Sequence, residues 1–143
     1  MGAVSAYLDV NVIVPLFAVD TLTSRAETAL RSVQDDLIMS DFSTAEFSSV
    51  IARRVRTRAL RTEEARAAFS NFDTWSARRV TLVRLESFDI LDATALMRRL
   101  DLPIRTPDAL HIAMVQRIGC RLLTFDRSMA GVARTLGIEL VRN

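Results

Sequence analysis

Short apolar runs alternate along this chain with longer stretches in which apolar residues recur every three to four positions. Ala6–Val10, following Val4, reads as a short strand that passes through an acid, Tyr7-Leu8-Asp9. Val10–Ala18 fits a short helix. Thr21–Val33 carries Leu22, Ala26, Ala29, Leu30 and Val33 on one helical stripe. Leu37–Ser40 is a buried-strand pattern. Phe42–Leu60 returns to helical spacing through Phe47, Val50, Ile51 and Val55. Thr62–Arg78 is a second long helix, opened by Thr62 with Glu63 and Glu64 in its first turn. Val80–Leu85 alternates as a strand does, and Ser87–Leu100 is helical. Leu102–Arg105, with Pro103, is a loop. Thr106–Ile118 is predicted as a helix with Thr106 as cap, Pro107 at its first position and Gly119 at its end. Arg121–Phe125 is a strand, Asp126–Leu136 a helix stopped by Gly137, and Ile138–Val141 a last strand. About five strands alternating with helices define an α/β class: a three-layer domain with a central parallel sheet and helices on both faces.

The 143 residues are enough for one domain, residues 1–143, with no repeat, linker or low-complexity tract. With one cysteine, Cys120, and one histidine, His111, neither an internal disulfide nor a cysteine–histidine zinc site can form. Cys120 reads as a small buried residue. The uncharged run 10–19 is about half a membrane span. Met1–Leu8 lacks a basic region, so no secretory signal is expected and the protein is expected to be cytoplasmic.

Charge sharpens the picture. All 19 basic residues are arginine, which removes chemistry that needs a Schiff-base or phosphate-loop lysine. Residues 1–50 hold seven acids against two arginines; residues 51–143 hold ten acids against 17 arginines. The net charge of +2 therefore hides an acidic first third and a basic remainder.

Ligand sites in open parallel sheets form beyond the carboxyl ends of the strands. Asp9 and Asp126 fall at such ends, and Glu46 and Asp108 fall in what read as first turns of helices. Each also has a purely structural explanation: Ser43-Thr44-Ala45-Glu46 fits a capping box, Asp108 suits a helix start, and Asp126 and Asp9 suit N-caps. If the four converge, their repulsion calls for a cation, and oxygen-only ligands select Mg²⁺ or Mn²⁺.

The segments Tyr7-Leu8-Asp9-Val10-Asn11, Ala45-Glu46-Phe47, Arg105-Thr106-Pro107-Asp108-Ala109-Leu110-His111-Ile112-Ala113 and Leu122-Leu123-Thr124-Phe125-Asp126 resemble the four sequence blocks of PIN domains. More narrowly, they resemble VapC toxins of bacterial toxin–antitoxin pairs, over essentially the whole chain and in the right order. The resemblance implies a metal-dependent endoribonuclease toxin neutralised by a cognate VapB-type antitoxin, and it implies a homodimer. It puts Asp9, Glu46 and Asp108 at the three core acidic places and Asp126 at the fourth. Asp9 and Asp108 would contact Mg²⁺ or Mn²⁺ most directly. Glu46 would bind a second ion or orient the attacking water, and Asp126 would act through an intervening water. Asn11 and Thr124 would hold the carboxylates in place.

Arg53, Arg54, Arg56, Arg58 and Arg61 form a run that could track an RNA backbone, or simply form a solvated helix end. His111, one turn beyond Asp108, reads as a packing or hydrogen-bonding histidine. Phe69, Phe72 and Trp75 read as core. Two other classes fit less well. An aspartyl-nucleophile phosphatase also starts with an acid after its first strand, but Asp9-Val10-Asn11 lacks the second aspartate and the chain lacks the lysine. A catalytically degenerate domain that binds only a partner or RNA keeps the fold without the cleavage.

Overall fold

The computed structural model describes residues 4–143, so the first three residues of the amino-terminal stretch read above lie outside it. Strand β1 (Ser5–Leu8) leads into α1 (Val10–Phe17) and α2 (Thr23–Ser32). Strand β2 (Asp36–Ser40) runs directly into α3 (Asp41–Arg56), followed by α4 (Thr62–Arg79) and β3 (Val80–Val83). Helices α5 (Ser87–Arg98) and α6 (Thr106–Ile118), strand β4 (Arg121–Leu123) and helix α7 (Arg127–Thr135) complete the order.

The strands form one parallel sheet in the order β3-β2-β1-β4. The expected fifth strand, Ile138–Val141, is reduced to a single parallel bridge between Leu122 and Leu140. Its first amide is already taken: Ile138 N–H donates back to Ala133 O of α7 at 2.8 Å. Only Glu139 O and Val141 N–H are left to reach Leu122. The sheet therefore has four strands.

Alternation along β1 separates two cores. Ala6 and Leu8 pack with Val12, Ile13, Phe47, Ile51 and Phe72 on the α1–α4 side. There Phe47 and Phe72 stack at 4.2 Å, and Phe69 and Trp75 pack against them, as the helical spacing predicts. Tyr7 faces the other side, with Ile112, Met114, Leu122, Met129 and Val132 of α6, β4 and α7. Helix α6 is buried over seven consecutive residues, Ala109 to Val115, because α5 covers its outer side. Ala93, Ala109 and Ala113 let these two helices approach closely. Cys120 is half-buried.

In α3 and α6 the capping or stopping residue differs from the sequence reading. Helix α3 is capped by Ser40, whose Oγ accepts the Ser43 N–H at 2.9 Å. Ser43 is thus inside the helix, no capping box involves Glu46, and Glu46 lies in the second turn. The same helix stops at Arg56 rather than Leu60, because Arg58 takes a left-handed φ of 64°. Helix α6 has Arg105 as its N-cap residue, which moves Thr106 and Pro107 to its first two positions. Gly119 ends it as predicted, at φ 73° with its N–H on Val115 O.

The α5–α6 pair is locked by a buried acid. Asp89, fully buried, accepts from Arg117 Nε and Nη2 at 2.8 and 2.9 Å and from the Glu86 N–H at 2.8 Å. Burial pushes the Asp89 carboxyl up, but these hydrogen bonds and the Arg117 charge outweigh it and hold it below the ordinary 3.8. A depressed carboxyl stabilises the fold above its unfolded pKa, and that contribution fades as pH falls through the folded value. Asp89→Ala is therefore expected to cost about 3 kcal/mol at pH 7, with the loss shrinking below about pH 4. Urea melts of both proteins at pH 7 and pH 3 check this; an equal loss at both pH values would show that the ion pair is not its source.

Candidate active site

Because all four strands run parallel, β1, β2 and β4 end on the same side of the sheet. Asp9 follows β1, Ser40 ends β2 and passes the chain into α3 with Glu46, and Thr124 and Asp126 follow β4. Asp108 lies in the first turn of α6.

Thr124 is the junction. Its Oγ1 donates to Asp9 Oδ2 at 2.6 Å and accepts from the Asp126 N–H at 3.0 Å and from Asn11 Nδ2 at 3.4 Å. Asn11 Oδ1 accepts the Phe125 N–H at 3.1 Å. The hydroxyl has one proton and two lone pairs, and all are used. Asn11 and Thr124 thus hold the segment around Asp9. Asp9 occupies the N-cap position of α1 but its side chain caps nothing, so the structural explanation fails for this acid. For Asp126 it holds: its carboxylate accepts from the Ser128 and Met129 N–H groups at 2.8 and 3.1 Å.

Burial pushes the Asp9 carboxyl up, with the Thr124 hydroxyl opposing and the Glu46 charge adding to the rise. Asp108 is also raised, first by burial and then by the charge of Asp126. Among the described residues, no three acid, histidine or cysteine side chains stand close enough to enclose an ion. A hard cation such as Mg²⁺ does not require that, since it keeps several waters and takes one or two carboxylates. The donor set is all oxygen and its charges are mutually unfavourable, so it fits a hydrated divalent cation.

His111 is no ligand, because both ring nitrogens are engaged. Nε2 meets Glu46 Oε1, and Nδ1 lies 2.6 Å from the Tyr7 hydroxyl. Tyr7 also contacts Ser40 Oγ at 2.8 Å and Ser43 Oγ at 3.2 Å. Burial holds the Tyr7 phenol well above its ordinary 10.0, so it stays a donor. In a neutral ring, Tyr7 O–H donates to Nδ1 and Nε2–H donates to the Glu46 carboxylate. The chain's one tyrosine and one histidine thus form a buried link from the end of β2 to Glu46. Tyr7, Ser40 and Ser43 were missed in the sequence; an isolated Tyr in an otherwise apolar strand was the available signal.

The arginine run lies elsewhere. Arg53, Arg54 and Arg56 occupy the far end of α3, about 10–15 Å along its axis from Glu46. Arg54 pairs with Asp20 at 3.3 Å, and Arg61 with Glu64 at 3.1 Å.

A parallel α/β sheet with Asp9 and Asp126 just past the ends of β1 and β4 defines the class. The sequence pattern of the PIN domain matches residues 6–135, and the chain belongs to this family, a family of nucleases. No curated protein matches it significantly in sequence. Its fold is similar to that of Mycobacterium tuberculosis VapC20, a toxin that cleaves the sarcin–ricin loop (TM-score 0.76, 18% identity, 96% of this chain and 99% of that one). FitAcB from Neisseria gonorrhoeae is also similar (TM-score 0.67, 14% identity, 96% of each chain). So is VapBC2 from Rickettsia felis bound to a fragment of promoter DNA (TM-score 0.67, 14% identity, 95% and 96%). At these identities the likeness is one of fold. No helix among the described residues is long and apolar enough to cross a membrane.

Proposed function

We propose that this chain is a metal-dependent endoribonuclease toxin, acting in the cytoplasm and silenced by a cognate VapB-type antitoxin. One observation carries the reading: Asp9 and Asp126 follow neighbouring parallel strands and are tied together through the Thr124 hydroxyl, which donates to Asp9 Oδ2 at 2.6 Å and accepts the Asp126 N–H at 3.0 Å. Membership of a nuclease family and the folds of VapC20, FitAcB and VapBC2 support the same reading. The homodimer belongs to the proposal as well.

Asp9 and Asp108 would hold Mg²⁺ or Mn²⁺, with Glu46 and Asp126 completing the acidic surround. Such an ion neutralises charge on the phosphate oxygens and lowers the pKa of water. The chain itself does the rest. Thr124 keeps Asp9 Oδ2 fixed. Glu46, anchored through His111, would orient the attacking water or bind a second ion. Lysine and cysteine chemistry plays no part: the chain has no lysine, and Cys120 lies on the edge away from the acids.

The test is incubation of the purified chain with total cellular RNA, in chelator and then in Mg²⁺ or Mn²⁺, with mapping of the new ends. Cutting is expected only with metal, and co-expressed antitoxin should suppress it. Full cutting in excess chelator would overturn the mechanism. Intact RNA with metal, together with harmless expression, would favour a non-catalytic binding domain. Metal should also raise the melting temperature. At tenfold above its Kd an ion adds about 1.4 kcal/mol, roughly 3–6 °C for a chain of this size. Asp9→Asn removes one repelling charge and one ligand, so it should melt at or above wild type in chelator yet gain less from Mn²⁺. Equal Mn²⁺ shifts in the two proteins would exclude Asp9 as a ligand.

A further inference from the structure

Beside Asp126 lies an open cavity of about 430 Å³ whose basic lining the function above does not use. Thr124 and Asp126 form its near wall, so it continues directly from the strand ends that carry the site. Its remaining polar lining is basic: Arg25 from α2, Arg127 and Arg134 from α7, and Arg142 near the chain end, with Asn143. Asp126 is the one acid among the lining residues, and it is occupied as the cap of α7. None of the four arginines makes an ion pair among the described residues.

The lining is organised rather than scattered. Arg127, Ala130 and Arg134 lie at positions i, i+3 and i+7, one stripe along α7 about 10 Å long. Ala130, the small residue between the two arginines, leaves the floor open. The Arg25 guanidinium sits 4.2 Å over the Phe125 ring and donates to Asn143 Oδ1. Asn143 Nδ2 in turn donates to Thr124 O at 3.2 Å. A chain of contacts therefore runs from Arg25 to the residue that fixes Asp9.

We infer that this cavity is a phosphate-binding subsite, in which Arg127, Arg134 and Arg142 grip the RNA backbone next to the bond that is cut. The inference rests on the ribonuclease reading. Guanidinium forks match phosphate oxygens in pairs, and an elongated stripe suits successive phosphates of one strand better than a single free anion. Like-charged neighbours without protein counter-ions leave the attraction available to a polyanion. The acids repel phosphate, and this basic wall offsets that repulsion one strand away.

The test compares wild type with the triple variant Arg127→Gln/Arg134→Gln/Arg142→Gln, whose replaced side chains are exposed and make no protein hydrogen bonds among those described. A charge-matched control carries Arg66→Gln/Arg78→Gln/Arg98→Gln. Binding of a single-stranded RNA of about 12 nucleotides is followed in chelator across a salt series. Each backbone contact contributes about 0.7 to the slope of log affinity against log salt, so the triple variant should lose about 2 from the slope and roughly tenfold or more in affinity. The control should keep the wild-type slope. With Mn²⁺, the triple variant should raise KM more than it lowers kcat. Wild-type slope in the triple variant overturns the subsite and leaves the ribonuclease reading standing. RNA binding with the predicted slope loss but no cutting by wild type retains the subsite and overturns the ribonuclease. A chain that binds no RNA at all overturns both. If the triple variant keeps its RNA slope but no longer binds a polyglutamate peptide, the cavity serves an acidic protein segment and the inference is wrong.

Discussion

Asp108→Asn and Asp9→Asn are each expected to reduce RNA cleavage by about 10²–10⁴-fold while the proteins stay folded. The size follows from the several kcal/mol of transition-state charge stabilisation that a correctly held divalent ion supplies. Folding should survive for local reasons. An Asn at position 9 still accepts the Thr124 hydroxyl through its amide oxygen. At position 108 the exchange forfeits about 0.3–1 kcal/mol of helix-dipole benefit, but it also relieves the repulsion from Asp126. Asp73→Asn, exposed on α4, is the control. Asp20→Asn would be a poor one: Asp20 accepts the Leu22 N–H at 2.7 Å and pairs with Arg54, so it is expected to lose stability. Initial cleavage rates in Mn²⁺, read beside melting curves, decide the matter. A wild-type rate for Asp108→Asn would remove that residue from the site.

His111→Ala should lower both stability and rate. It opens a void among Tyr7, Phe42 and Glu46 and leaves the Tyr7 phenol without its ring partner. About 2–4 kcal/mol is expected from cavity and unmade hydrogen bond together, a fall in melting temperature on the order of 10 °C. Tyr7→Phe keeps the ring and removes only the hydroxyl, at a cost of about 1–3 kcal/mol. A loss of stability alone would make His111 a packing residue. If it positions Glu46, kcat falls about 10–100-fold in His111→Ala, and combining it with Glu46→Gln lowers kcat little further. Additive losses would show that the two act separately.

Much of the fold was legible because it is written locally. Helical spacing located α3, α4 and α6, and Gly119 marked the end of α6. Asp9 and Asp126 were legible as strand-end acids because strand ends in a parallel sheet share one side. What escaped depends on partners far apart in the chain. Tyr7 meets Ser40, Ser43 and His111 across separations of 33, 36 and 104 residues. The isolated Tyr7 in an apolar strand marks a polar contact but not the partners that make it. Ser40 and Ser43 compete for one capping role, and β2 passing straight into α3 decides for Ser40. The basic cavity was invisible for the same reason. Arg25 and Arg127 are brought together only by the sheet, whereas a scan for charge runs finds Arg53 to Arg61. The last strand failed because Ile138 spends its amide on α7.

Two backbone amides hang on the side chains of the site. The Asp126 N–H donates to Thr124 Oγ1 and the Phe125 N–H to Asn11 Oδ1, so neither is held by a strand ladder or a helix. Their exchange with deuterated solvent is therefore governed by how often the Thr124–Asn11 junction opens, not by how often the sheet unfolds. These two positions act as a built-in reporter on the order of the segment around Asp9 and Thr124. Whatever tightens the Thr124–Asn11 junction is expected to slow both at once, and whatever loosens it to free both, even when the core on either side of the sheet stays closed.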